Sequence, residues 1–570
     1  MASEGALLKE GNPRGHSMDR RRFMTLLGSS TALTNLSAIR PSRSSSPNDK
    51  RSGRGEEISE QDANPIAIHP ENPKYFLFRG KPIVLVAATE HYGSVVNRRF
   101  DFMRYLEEAA DKKQTLTRLF LLFRELQSAR NPYSPLKPDS PDFVAPYPRR
   151  GPLRAMDGEP IYDLDEWNGE YFDRLHRFLT ASSDLGIVVE LTLFSNSYSD
   201  QVWALNPLRD KNNLQRIGAV EWQEYASLKN PELVARQIAF AQKIVQETSG
   251  FDNVYYEISN EPGGGLPGHV TPLQVDEWQE KLAEVIRGEL QKLNRRHLVV
   301  GQNAFSYAPH FSQKFDDSFS GSMLDAVNVH PLPNLIVAGR TYQLGNFMSK
   351  ELQLGEFRDF FLAINLRRKP AISDEDNAAS LYRDDVGWTI HRKRAWTAVM
   401  CGAHYDYIDF SIQSGREAGT EESRRKIRSW MRYLSEFIHS FDFIHARPAP
   451  DWIANPPSPL VVSALIKEAK DYVAYLADGR EISDPGCGHP VSGEIMFSVP
   501  EGTYDVRTYS PAAGVYSRAK RISGGNQIRF ELPTFEHDIV LRVTREAAGT
   551  ESARVPSSQR GRAWTVESFF

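Results

Sequence analysis

Val254-Tyr255-Tyr256-Glu257-Ile258-Ser259-Asn260-Glu261-Pro262 is the stretch of this chain whose reading decides the fold. Its β-branched and aromatic residues make a run too short for a helix and well suited to a buried strand. Pro262, which has no N–H to give a ladder, ends it. Asn260 and Glu261 then stand at the carboxyl end of the strand. In a barrel of parallel strands, reacting groups gather at that end. Taken alone, an Asn-Glu-Pro reads more readily as a surface loop, so its surroundings must decide.

Working outward, apolar runs alternate with amphipathic stretches, as in βα units that bury a parallel sheet on both faces. The runs before the opening stretch are 83–88, 116–123 and 187–194; those after it are 298–301, 324–330, 371–373 and 405–412. Helical spacing marks 99–112 (Phe100, Met103, Leu106, Ala109), the stretch around Phe172, Leu175, Phe178 and Leu179, and 231–247. A further helix enters through Thr271-Pro272, with proline where a missing amide costs nothing, and runs to about Leu293. Eight strands and seven or eight helices within residues 65–445 predict an α/β fold, a (β/α)₈ TIM barrel. An open doubly wound sheet would carry a glycine-rich turn after its first strand, and Ala88-Thr89-Glu90-His91-Tyr92-Gly93 is not one. From 446 to 545, short alternating strands separated by Gly, Pro and Asp turns predict an antiparallel β-sandwich domain, followed by a loose tail at 546–570.

The beginning of the chain has another texture. Arg20-Arg21-Arg22-Phe23-Met24 precedes a short, weakly apolar run, and residues 1–38 resemble a twin-arginine export signal. Residues 39–64, rich in Ser, Arg, Pro, Gly and Glu, read as a disordered linker. The expected location is therefore periplasmic or extracellular, with no integral membrane segment after signal removal. A net charge of −4 offers nucleic acid no strong attraction. Cys401 and Cys487 are too few for a disulfide framework or a thiolate site, and His, Asp and Glu show no metal-ligand spacing. Neither a metal nor a cofactor is expected.

Within a barrel, residues at strand ends compete for chemistry. Strand four supplies Glu261, and strand seven supplies the cluster Asp374-Glu375-Asp376 after Pro370. Acids projecting from these strands meet across the mouth, and about 5 Å between them suits double displacement at a sugar. Which acid of the triplet points inward is open; the spacing of five from Pro370 favours Glu375. His330, His91 and Tyr307 are candidate substrate-binding residues at the same rim. Tyr92, Tyr198, Trp203, Trp388 and Tyr407 are further aromatic or rim candidates, and Tyr133, Phe143, Tyr147 and Tyr162 of the long 126–167 insertion would wall the cleft. Arg392-Lys393-Arg394 reads as a solvated helix face, as does the loop at Arg383, Asp384 and Asp385.

Asn260-Glu261-Pro262, the proline-led strand ending in Glu375, and Arg118 in strand two together resemble the large clan of retaining barrel glycosidases that includes the cellulases of family five. The resemblance spans roughly residues 66–440. It implies that Glu261 is the acid/base, Asn260 the amide gripping the sugar 2-hydroxyl, Glu375 the nucleophile, and Arg118 the cation that keeps it ionised. The last role also follows from electrostatics. The opening hairpin and C-terminal sandwich are similar to those of cellulase-like proteins whose sandwich carries a collagen-binding label, but the label implies nothing here. The expected function is an exported retaining glycoside hydrolase acting on a poly- or oligosaccharide. A non-catalytic carbohydrate-binding or adhesion protein on the same scaffold is the alternative, and a barrel enzyme of other chemistry a third reading. Sugar, linkage and oligomeric state are not encoded in any motif.

Overall fold

Strands buried on both faces need helices on the outside and a filled lumen within, and both are present. The computed structural model of the protein describes residues 64–89, 93–122, 133, 140–344, 351–376, 382, 384–408 and 420–546. The proposed signal, most of the linker and nearly all of the tail lie outside the described residues. The barrel strands are β1 (Val86–Thr89), β2 (Leu116–Phe120), β3 (Val188–Ser195), β4 (Val254–Asn260), β5 (Val299–Gly301), β6 (Ala326–Val329), β7 (Ala371–Asp376) and β8 (His404–Ile408). They pair in parallel in the order β1-β8-β7-β6-β5-β4-β3-β2. At the remaining seam the Thr115 amide donates to the Val86 carbonyl at 3.1 Å and the Val86 amide to Thr115 Oγ1 at 2.8 Å, so the barrel is nearly closed.

A helix follows each strand: α1 (Phe102–Asp111), α2 (Gly169–Asp184), α3 (Pro231–Thr248), α4 (Pro272–Lys292), α5 (Asp316–Ser320), α6 (Leu354–Asn365), α7 (Asp385–Met400) and α8 (Glu421–His439). Boundaries move where capping chemistry intervenes. The helix expected from 99 starts at Phe102 because the Asp101 side chain accepts from the Arg104 amide. For α4 the Thr271-Pro272 entry stands, with a reciprocal cap between Thr271 and Gln274.

The lumen changes chemistry along the barrel axis. At its amino-terminal mouth Leu85, Leu116, Val188, Tyr255, Leu298, Ala326 and Ile372 form an apolar plug. The hairpin of strands Phe76–Phe78 and Lys81–Ile83, turned at Arg79-Gly80, covers it with Phe76 and Phe78. Above that layer the inward side chains become polar and charged, which places the chemistry at the opposite mouth.

The C-terminal domain is an antiparallel sheet built on β9 (Leu460–Lys467), β10 (Asp471–Asp478), β11 (Val491–Ser510), β12 (Lys520–Phe535) and β13 (Asp538–Arg545). Its order is β9-β10-β13-β11, with β12 on the long β11. Alternation along β10 shows why every residue in its middle is apolar. Tyr472, Ala474 and Leu476 enter the domain's own core, while Val473, Tyr475 and Ala477 join the barrel's core. Tyr475 stacks on Trp396 of α7 with centroids 5.5 Å apart.

That docking corrects the reading of Arg392-Lys393-Arg394 as a solvated face. All three are buried, because α7 is enclosed by the barrel on one side and the sheet on the other. Arg392 pairs with Asp538 at 2.8 Å, Lys393 donates to the Asp478 carbonyl at 2.7 Å, and Arg394 pairs with Asp376 at 2.9 Å. The reading of the insertion also changes: Tyr133, Phe143, Tyr147 and Tyr162 are buried in the core beside α1 and α2, and the cavity of about 400 Å³ that Phe143, Tyr147 and Tyr162 help to line includes none of Glu261, Glu375 and Arg118. Among the described residues no helix is long and apolar enough to cross a membrane.

Asp538→Ala leaves the Arg392 guanidinium buried without its counter-ion, which typically costs about 3–5 kcal/mol. Urea denaturation followed by tryptophan fluorescence is expected to show a lower midpoint for this variant, whereas Asp484→Ala, in an exposed turn, leaves it unchanged.

Candidate active site

Arg118 is the centre of the charged layer. Its position on β2 faces the lumen opposite Glu190, its register partner on β3. The guanidinium is fully buried, and its fork of donors is shared among groups from several strands. Nε and Nη2 donate to both oxygens of Glu257 on β4, at 3.0, 2.6 and 2.7 Å. Nη2 also donates to Asn260 Oδ1 at 2.8 Å and Nη1 to Glu375 Oε1 at 2.7 Å. Nε lies 3.1 Å from Asp374 Oδ2 and 3.7 Å from Glu190 Oε1. Burial opposes its charge, but Asp374, Glu257, Glu375 and Glu190 overcome that and hold Arg118 well above its ordinary range.

So many acids around one cation cannot all stay ionised. Burial first, then the charges of Asp374 and Glu257, push the Glu190 carboxyl well above the usual carboxylate range. Glu190 is therefore the neutral member at ordinary pH, held by Tyr255 Oη at 2.8 Å and Asn328 Nδ2 at 2.5 Å. Glu257 stays clamped between Arg118 and the Thr192 hydroxyl, which donates at 2.6 Å.

The two predicted acids meet at the rim. Glu261 directly follows β4, and Glu375 lies near the end of β7. Both have left-handed backbones, φ +44° and +50°, a conformation that costs non-glycine residues about 1–3 kcal/mol and concentrates at functional sites. A strand presents alternate residues to one side. Asp374 and Glu375 nevertheless both face the lumen, because the pairing of β7 with β8 shifts register between Ser373 and Asp376. Asp376 turns away, to Arg394 and the Tyr405 hydroxyl. Of the acidic triplet, Glu375 is thus the one that faces Glu261.

His330, just past β6, stands between them. Its Nδ1 is 3.1 Å from Glu261 Oε1 and 3.5 Å from Glu375 Oε2, and its Nε2 is 3.7 Å from Asp374 Oδ2. A carboxylate oxygen of Glu261, a ring nitrogen of His330 and a carboxylate oxygen of Glu375 all lie within 4.8 Å of one another. Burial disfavours the charged ring, but Asp374 and Glu261, joined by the charge of Glu375, push His330 up to about 10. The Glu261 side chain keeps 20% of its surface open and Glu375 7%; the acid on β4 is the more exposed partner.

Asn260 is fully buried, and its Nδ2 donates to Ser195 Oγ at 3.2 Å and Tyr198 Oη at 2.8 Å. Both amide hydrogens are therefore in use, and the grip on a sugar hydroxyl that the resemblance implies requires one of these bonds to open. Tyr307 accepts from Asn196 Nδ2, which also donates to the Glu261 carbonyl at 3.1 Å, so Tyr307 supports the acid's backbone from the side. Trp203 is buried and donates to the Val220 carbonyl, while Trp388 and Tyr407 are buried in the core around α7 and β8; these three rings are core packing rather than sugar platforms. Asp384 caps α7 and Asp385 pairs with Lys426. His91, Tyr92 and Arg383 lie outside the described residues.

Glu190, Glu257 and Asn328 are missing from the sequence-based set, and Asp374 stands in it only as an alternative to Glu375. Their signal was available: each interrupts an apolar strand at a lumen-facing position. Two donor triads, Glu257-His330-Asp374 and Glu261-His330-Glu375, are compact enough to enclose an ion. Arg118 pairs with both acids of the first triad and with Glu375 of the second, and supplies positive charge there.

No family model matches the sequence, and no curated protein matches it in sequence. The fold has clear counterparts among solved structures. A glycoside hydrolase family 5 protein from Bacteroides vulgatus ATCC 8482 aligns with a TM-score of 0.55 at 12% identity, over 86% of this chain and 96% of that one. Another structure, described as a glycoside hydrolase, aligns with a TM-score of 0.55 at 13% identity, over 87% of this chain and all of its own. Both likenesses extend past the barrel into the C-terminal region, and at such identity they speak for the fold.

The histidine gives a pH test. Its folded value of about 10 lies above the ordinary 6.5, so its contribution to stability is complete below pH 6.5 and is lost as pH rises toward 10. Urea midpoints measured from pH 6 to 9.5 are expected to fall, and His330→Gln is expected to flatten that decline.

Proposed function

We propose that this chain is an exported retaining glycoside hydrolase that cleaves a poly- or oligosaccharide by double displacement. The observation that carries the reading is the pair of carboxylates from the ends of β4 and β7, with oxygens within 4.8 Å of each other. Retaining enzymes hold their two carboxyl groups about 5–5.5 Å apart, whereas inverting ones leave about 6.5–9.5 Å for a water. The fold shared with family 5 glycoside hydrolases supports the same reading.

In this mechanism Glu375 attacks the anomeric carbon while Glu261 gives its proton to the departing glycosidic oxygen. A covalent glycosyl ester on Glu375 results. Water then enters; Glu261 removes its proton, the oxygen bonds to the anomeric carbon, and the ester bond to Glu375 breaks. Arg118, 2.7 Å from Glu375 Oε1, favours the ionised nucleophile. The greater exposure of Glu261 suits the group that must meet both leaving group and water. Residues 1–38, read as a twin-arginine signal, would carry the folded enzyme to the periplasm or beyond.

Glu261→Gln and Glu375→Gln are each expected to reduce turnover of a responsive polysaccharide by about 10²–10⁴-fold or more. Proton NMR of the first-formed product is expected to show the anomer of the substrate. Undiminished turnover in both variants, or an inverted product, defeats this mechanism; glycan binding by the wild type without hydrolysis favours a binding protein instead.

A further inference from the structure

A carboxylate beyond the catalytic pair lies deeper in the same mouth. Asp374 is fully buried, and one of its oxygens is 3.1 Å from Arg118 Nε and 3.7 Å from His330 Nε2. It reaches this place only because β7 shifts register beside it, so that adjacent residues of one strand both enter the lumen. The ring of His330 is consequently faced by acids at both nitrogens. Nδ1 meets Glu261 and Glu375, and Nε2 meets Asp374, with Glu257 completing the deeper side. Asn328, two residues earlier on β6, is tied to Glu190 and Glu257. Arg118 faces the same acids from β2.

A neutral imidazole carries one proton and would offer a lone pair to one of these carboxylates. An imidazolium offers N–H to both sides. We propose that Asp374 is a positioning residue: its carboxylate, facing Nε2 behind the ring of His330, holds that ring as the imidazolium, so that Nδ1 also carries an N–H, which serves Glu261 and Glu375 together. This inference rests on the glycosidase reading above for its catalytic consequence. Glu261 Oε1 accepts the Nδ1 proton, which leaves the other oxygen of Glu261 to carry the proton destined for the glycosidic oxygen. When that proton departs, the imidazolium is already in place beside the new carboxylate. The ring's own proton is not transferred, so His330 acts through electrostatics and orientation. The upward displacement of His330 agrees with this arrangement.

The test uses the full chain with ¹⁵N-labelled histidine, the His330 signals being assigned by their loss in His330→Gln. In the wild type the ring is expected to remain doubly protonated at pH 8. In Asp374→Asn, which keeps the shape and removes the charge, its midpoint is expected to fall by at least about one pH unit, as loss of a nearby opposite charge commonly does. The kcat/KM profile of that variant is expected to acquire a new alkaline decline at the shifted midpoint, a change that altered packing alone would not produce. Wild-type His330 titrating near pH 6.5 overturns the proposal even if Asp374→Asn does not fold, and so does an unmoved midpoint in a folded variant. If no glycoside is turned over, the glycosidase reading fails separately, while the histidine titration still decides what Asp374 does.

Discussion

One guanidinium, taken wholly out of water, organises the mouth of this barrel. A buried arginine is tolerable only if its charge is matched and its five N–H groups are occupied. Arg118 has its charge matched and each of its three side-chain nitrogens bonded to residues of β4 or β7, with Glu190 of β3 at 3.7 Å, so strands far apart in the chain are tied to one point. The excess of acids over cations is relieved in three ways. Glu190 takes up a proton, Glu257 accepts from the Thr192 hydroxyl as well as from Arg118, and His330 adds a second positive charge near the rim. The candidate acids thus rest on a charged layer whose protonation pattern the fold imposes.

Backbone strain appears where the side chains must be aimed. Glu261 and Glu375 take the left-handed conformation although neither is glycine, and Tyr198, whose hydroxyl holds Asn260, does so too. Within β7 the turn at Glu375 breaks the in-out alternation of the strand and lets Asp374 and Glu375 address the same space. The surrounding hydrogen bonds, such as Asn196 to the Glu261 carbonyl, are what hold such turns in place.

The C-terminal sheet contributes at one remove. It packs on α7, whose Arg392 and Lys393 bond to the sheet while the next residue, Arg394, holds Asp376 at the end of β7. The helix therefore links the sheet to the strand that carries Glu375. An Arg-Lys-Arg run on a helix is usually solvated; here its enclosure between two layers makes every one of those charges internal.

The eight-strand barrel, its helix entries and the pairing of acids from strands four and seven were legible in the chain, because strand length, the alternation of strand and helix patterns and cap residues are local properties. Glu261, Glu375 and His330 could be named for the same reason, each lying at or near the end of a recognisable strand, whereas Arg118 entered through the family resemblance. Local pattern could not say which member of Asp374-Glu375-Asp376 faces Glu261, since that depends on a register shift against β8. Nor could it foresee that Glu190, Glu257 and Asp374 share one arginine, or that the aromatic residues of the insertion are core. Those outcomes depend on which faces meet after the barrel closes, and such long-range contacts leave only a faint trace in the order of the residues.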